Sequence, residues 1–187
     1  LPWNYFAGAF GRSSGSLVGS AHLISKVYFP RLVIPISSLL SGLLDFAIAF
    51  IVLIGLMFWY SIMPTITILW LPAFLLMGVA TALGVGLWLG ALNVQYRDVQ
   101  YLVPFLSQIW MFATPVVYPS SLIPEQWRLL YGLNPMAGVV EGFRWALLGK
   151  SEGPGPMLAV SVLVTVILLV SGAFYFRRME KTFADVV

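Results

Sequence analysis

The chain has 187 residues, about the size of one domain, with 60% hydrophobic residues, 9% charged residues, 13 Phe, 8 Tyr and 7 Trp. A soluble fold of this size has too little interior for so much apolar surface, and a disordered chain is charged and poor in aromatics, so the composition is that of an integral membrane protein. The absence of cysteine excludes disulfides, thiolate metal sites and a cysteine nucleophile, and the ten basic residues behind the net charge of +3 form no stripe that would bind nucleic acid.

The chain opens Leu1-Pro2-Trp3, with no Met and no basic leader. It reads as a piece whose upstream part is missing. Spans are then bounded by charges, because a helix needs about 20 apolar residues to cross and lipid tolerates few ions. The first segment, 3–24, is the least apolar, carrying Arg12 and an interfacial His22, and is open to two readings: a span or an interfacial helix. Gly11, Gly15 and Gly19 give it a small-residue stripe of the kind that packs helices closely. Residues 26–32 (Lys26, Tyr28, Phe29, Pro30 and Arg31) form an amphipathic turn, open to two readings: a membrane anchor or a docking element.

Between Arg31 and Arg97 the only charge is Asp45, and Pro64 offers the turn that divides this stretch into spans at 33–59 and 67–92. An intramembrane acid is costly and is expected to find a partner. Counted through a turn near Tyr28, Arg12 and Asp45 reach similar depth, which predicts an intramembrane ion pair. Gly78, Ala82, Gly86 and Gly90 recur every four residues and predict close helix packing. Residues 93–100, with Tyr96, Arg97 and Asp98, make a second amphipathic turn of the same two readings.

The span at 101–117 places Tyr101, Phe105, Gln108 and Phe112 on one narrow face. Such a face meets lipid or another helix, or it stacks on sugar rings and bonds their hydroxyls. Residues 119–150 are divided by Pro119, Pro124 and Pro135 into pieces too short to cross. Pro124-Glu125 and Asn134-Pro135 mark helix starts and Gly149 a helix end, which predicts two short re-entrant or interfacial helices. Glu141 and Arg144 lie three apart on one helical face and can pair. Tyr118, Trp127, Tyr131 and Trp145 crowd the same end, as a gate or as an ordinary aromatic belt. The last span, 157–176, stops at Arg177-Arg178 and leaves a tail, 177–187.

Six basic residues near span ends (Lys26, Arg31, Arg97, Arg177, Arg178 and Lys181) fall on one side, which is therefore expected to be cytoplasmic. Arg128, Arg144 and Lys150, accompanied by Glu125, Glu141 and Glu152, fall on the other. The expected fold is an all-α polytopic bundle forming one transmembrane domain over 1–187, with about five spans and two short outer helices. No catalytic motif, acid pair or metal-ligand set is visible. Gly149-Lys150-Ser151 is not a phosphate loop, since Arg144 stands where that loop needs glycine. No reaction centre is therefore read in this chain. A membrane-embedded glycosyltransferase lacks its clustered acids here, and an ion-coupled carrier lacks its several charges and inverted repeats.

Six segments, LPWNYF at 1–6, KVYFPRLVIP at 26–35, LNVQYRDVQYLVPF at 92–105, TPVVYP at 114–119, LNPMAGVVEGFRWALLG at 133–149 and FRRMEKTFADVV at 176–187, carry a resemblance. The chain resembles the permease subunit of ABC exporters for polysaccharides, the group handling O-antigen, capsule and teichoic-acid polymers. The resemblance implies a homodimer in the bacterial inner membrane, driven by a separate cytoplasmic ATPase that holds the ATP and Mg while this chain binds no cofactor. It also implies a lipid-linked glycan as cargo, with the same architecture carrying a lipid or drug as the alternative. By the same resemblance, Lys26 to Arg31 and Tyr96 to Asp98 are the coupling elements, and Tyr101, Phe105, Gln108 and Phe112 are the substrate path. The segment with Tyr118, Trp127, Tyr131, Glu141, Arg144 and Trp145 is the outer gate.

Overall fold

Apolar runs ended by charge or proline become helices here because a backbone in lipid must satisfy its own hydrogen bonds. The computed structural model describes residues 1–20, 22, 29–118, 123–149, 153 and 155–183, and no strand occurs among them. Helix α1 spans Pro2–Gly19, with proline in its first turn, where no backbone donor is lost. Helix α2, Val33–Trp59, has the bounds expected from the charge spacing. A 3₁₀ turn, Ile66–Trp70, leads into α3, Leu71–Gln95. Helix α4 covers Val99–Ala113. Two short helices follow, α5 at Glu125–Tyr131 and α6 at Pro135–Leu148. Helix α7, Gly155–Met179, ends in a 3₁₀ turn, Glu180–Thr182.

Three segments are long and apolar enough to cross a membrane: α2, Ile66–Gln95 and α7. Helix α1 carries Arg12 with several serines and glycines, which lowers its hydropathy below that class. Helix α4 is apolar but shorter than expected. It stops at Ala113 before Pro115, and its 15 residues reach about 22 Å.

Helix α3 is the central element, with α1 and α7 packed on it. Its glycines permit this. A Cβ at Gly86 would collide with the Ser13 side chain of α1. A Cβ at Gly84 would lie 2.7 Å from the backbone of Leu168 and Leu169, and one at Gly172 would meet the Gly84 carbonyl. The predicted small-residue row therefore serves α1 through Gly86 and Gly90, while Gly78 faces Val139 of α6. Gly84, outside that row, makes the closer approach to α7, and Thr81 and Thr165 join the same two helices by a 3.1 Å hydrogen bond. Gly11, Gly15 and Gly19 of α1 correct the expectation made for them: a Cβ there meets nothing within 4 Å. That stripe lies on the face of α1 turned away from α3, so it packs no helix among the described residues.

Two apolar clusters divide the bundle. One joins Phe6, Phe10, Phe74, Met136, Val139 and Phe143 toward the end where α6 sits. The other joins Leu17, Ile34, Leu87, Val94, Phe176 and Phe183 at the opposite end, where Arg31, Arg97, Arg177 and Arg178 also fall. These are termed the far end and the basic end.

Candidate functional site

At the basic end the structure brings together the two amphipathic turns and the end of α7. Lys26 and Tyr28 lie outside the described residues; Phe29, Pro30 and Arg31 lie within them. Phe29 packs against the apolar cluster there, while Pro30 is exposed and its carbonyl accepts from Val33 N at 3.0 Å. Arg31 is tied to the tail: its backbone N–H donates to Glu180 Oε1 at 3.4 Å and its Nη1 donates to the Glu180 carbonyl. Its guanidinium also lies 6.0 Å from the ring centre of Phe183, which packs edge-on against Phe176 at 5.4 Å. The tail contact was not expected from sequence, because 149 residues separate Arg31 from Glu180. In the second turn Tyr96, Arg97 and Asp98 are all exposed. Asn93 braces that turn: buried, it donates from Nδ2 to the Ser14 carbonyl at 3.2 Å and accepts from Gln100 N at 3.2 Å. Sequence reasoning missed it, although a polar amide one turn before a helix end is the available signal.

Helix α4 binds the bundle along a single face. Val103 is buried, and Trp110 packs edge-on against Phe6 at 5.0 Å and Phe10 at 6.2 Å. The opposite side holds Tyr101, Phe105, Gln108 and Phe112, all four exposed on one continuous face. Three rings and an amide in that order can stack on sugar planes and exchange hydrogen bonds with hydroxyls.

The far end is a polar knot built around Asn134. As the N-cap of α6, its Oδ1 accepts from Met136 N at 3.1 Å and also from Trp110 Nε1 at 2.8 Å. Its Nδ2 donates to the Ala113 carbonyl at 3.1 Å and lies 2.9 Å from Thr114 Oγ1. Asn134 thus bolts α6 to the end of α4, a role its capping signal alone does not reveal. Two turns further along α6, the expected Glu141–Arg144 pair forms at 2.8 Å, with 10% of the acid side chain and 26% of the arginine exposed. Arg144 Nη2 also donates to the Pro115 carbonyl at 2.9 Å. Gly149 closes α6 at φ 61°, where only glycine is free of strain. Tyr118 and Tyr131 share a 2.6 Å hydroxyl contact, and burial, with the Tyr131 hydroxyl beside it, pushes the Tyr118 phenol up to about 12. Trp145 packs edge-on against Phe74 at 6.5 Å, whereas Trp127 is exposed.

Arg12 and Asp45 line one cavity between α1 and α2 with Asn4, Tyr5 and Phe46. The direct ion pair expected between them is not made: no cation lies within 4.0 Å of Asp45 among the described residues. Arg12 instead donates from Nε to the Ser38 carbonyl at 3.3 Å, and its guanidinium fills the space beside Gly42. That level is about one turn short of Asp45, so an equal count of residues from the connecting turn did not yield equal depth. Both side chains are exposed. A lone charge facing lipid at a helix centre costs about 3 kcal/mol on insertion scales, which argues that this face meets water or polar groups.

Residues 1–148 match the family described as ABC-2 type transporter. The chain is 30% identical over 189 residues to the O-antigen export system permease protein RfbA of Myxococcus xanthus, covering 99% of this chain and 72% of that relative. Two proteins of the same name from Klebsiella pneumoniae are each 27% identical over 188 residues, covering 100% of this chain and 72% of theirs. With a family match across most of its length and apolar helices that suit a membrane, the chain belongs to the ABC-2 type transporter family.

Proposed function

We propose that this chain is the permease of an ATP-driven exporter that carries a lipid-linked, O-antigen-like polysaccharide outward across a bacterial inner membrane. The observation that carries the reading is the exposed face of α4, where Tyr101, Phe105, Gln108 and Phe112 form a ladder of rings and one amide. Ring stacking tolerates changes in sugar sequence, so a ladder of this kind lets a long polymer slide while the amide exchanges hydrogen bonds. The relatives, named for O-antigen export, support the same cargo class. The chain works as a homodimer, with the two α4 faces turned toward a shared path.

Energy comes from a separate ABC ATPase that binds ATP and Mg and docks at the basic end, on the turn at 26–32 and on Tyr96, Arg97 and Asp98. The exposure of the second turn supports this assignment. Arg31, held by the tail, positions the first turn rather than meeting the ATPase directly. Helices α1 and α4 complete five crossings, and α5 and α6 re-enter from the outer side to close the path. Burial of α6 along most of its length, with Gly138 against Ser161 and Gly142 against Phe74, supports an inserted helix over one lying on the surface.

The test is deletion of the full-length gene in its native host, with complementation by wild type or by a Tyr101→Ala, Phe105→Ala, Phe112→Ala triple variant. Loss of surface glycan with lipid-linked polymer retained inside is expected for the deletion and for the triple variant. Unchanged glycan in both places removes the polysaccharide assignment and points to a lipid or drug cargo.

A further inference from the structure

We propose that the cavity between α1 and α2 is a second sugar-binding subsite, in which Arg12, Asp45 and Asn4 bind hydroxyl groups of the polymer apart from the aromatic face of α4. The proposal rests on reading the chain as a glycan permease. Its starting point is an imbalance. Asp45 lies at the middle of α2, a helix long and apolar enough to cross a membrane, and it is exposed there. Arg12 faces the same cavity from α1, yet the two do not pair.

The arginine is held in place rather than loose. Its Nε donates to the Ser38 carbonyl, while Gly8 and Gly42 leave room for the guanidinium on either side: a Cβ at Gly8 would stand 3.2 Å from Nη1, and one at Gly42 would collide with Nη2. The neighbouring serines of α2 do not serve this cavity, because Ser37, Ser38 and Ser41 each return their hydroxyl to a carbonyl three residues back, at 2.8–2.9 Å. What the cavity offers is therefore a fixed donor, Arg12, an acceptor, Asp45, and a group that is both, the Asn4 amide. Tyr5 and Phe46, edge-on at 5.7 Å, supply ring surface in the same wall.

This set selects its ligand by charge. An anion would meet the Asp45 carboxylate, and a cation the Arg12 guanidinium. A neutral diol suits both: one hydroxyl accepts from Nη and its neighbour donates to the carboxylate, while a ring covers the apolar sugar face. The cavity volume of about 390 Å³ lies in the range of small-molecule sites and accommodates a sugar unit.

The experiment uses the full-length permease with its ATPase in lipid nanodiscs, and the lipid-linked polymer purified from the native host as probe. ATP hydrolysis is followed against polymer concentration in wild type, Asp45→Asn, Arg12→Gln and the charge swap Arg12→Asp/Asp45→Arg, each normalised to assembled complex. Each single variant is expected to raise the half-maximal polymer concentration at least tenfold, with no rescue by the swap. Wild-type half-maximal concentrations, or a swap that restores them, overturn the subsite while leaving the glycan reading intact. Failure of the polymer to stimulate the wild type removes the glycan reading itself. A second measurement holds even if the charge variants do not assemble. This chain has no cysteine, so Ala49→Cys, on the cavity wall, reports its access to a water-soluble maleimide. Labelling that polymer suppresses is expected. Labelling indifferent to polymer, or no labelling at all because protein covers the cavity, overturns the proposal.

Discussion

Two oppositely charged couples among the described residues, Glu141–Arg144 and Arg12–Asp45, behave differently. Glu141 and Arg144 share helix α6, meet at 2.8 Å and are part of a knot with Pro115. Arg12 and Asp45 sit on separate helices, face one cavity and stay apart. The difference is one of registry. Residues three apart on a helix face each other whatever the rest of the fold does. Residues on two helices meet only if the helices agree in depth, and a slip of one turn, about 5.4 Å, exceeds the reach of an ion pair. The local couple therefore fastens the far end, while the distant one leaves charge facing open space.

The comparison can be sharpened or broken by mutation. The largest loss is expected for Asn134→Ala, which removes the cap of α6 together with its bonds to Trp110 and Ala113. Three or four hydrogen bonds at roughly 1 kcal/mol each amount to about 3 kcal/mol, measurable as a fall in unfolding temperature in detergent. Glu141→Ala strands Arg144 on the Pro115 carbonyl alone and should cost about 2 kcal/mol, less than a fully buried pair because the arginine is partly exposed. A double-mutant cycle over Glu141 and Arg144 should return a coupling above about 1 kcal/mol. The same cycle over Arg12 and Asp45 should return a coupling below about 0.5 kcal/mol, and a larger value would break the contrast.

A smaller effect is spectroscopic. With the phenol of Tyr118 pushed up to about 12 from its ordinary 10, the neutral form is favoured in the fold. Its contribution to stability is thus present below pH 10 and is lost as pH rises from 10 through 12. Tyr131→Phe removes the neighbouring hydroxyl and should move the tyrosinate absorbance of Tyr118 to lower pH; an unmoved titration would mean that the 2.6 Å contact does not form.

Much of the fold was legible because membrane insertion is a local criterion. The bounds of α2 follow from Arg31 and from the polar residues after Trp59, and the start and end of α6 follow from Asn134, Pro135 and Gly149. The Glu141–Arg144 pair follows from spacing alone. Other features were not legible. Gly84 lies off the four-residue row yet makes the close backbone approach to α7, and the open row of Gly11, Gly15 and Gly19 shows that a packing motif does not name its partner. Asn93 and Trp110 find their partners 79 and 24 residues away, distances over which no sequence pattern repeats.

By itself, then, the sequence determined that this protein is helical and built for lipid, where its longest apolar helix begins and ends, and that the charges of α6 pair. Each of these depends on residues within a few turns of one another and on the exclusion of charge from hydrocarbon. The tertiary structure alone decided that Arg31 is held by the tail, that Asn134 bolts α6 to α4, and that Arg12 and Asp45 share a cavity without meeting. Those outcomes depend on how far each helix slides along its neighbours, which glycine contacts and connecting turns set jointly and no single segment encodes.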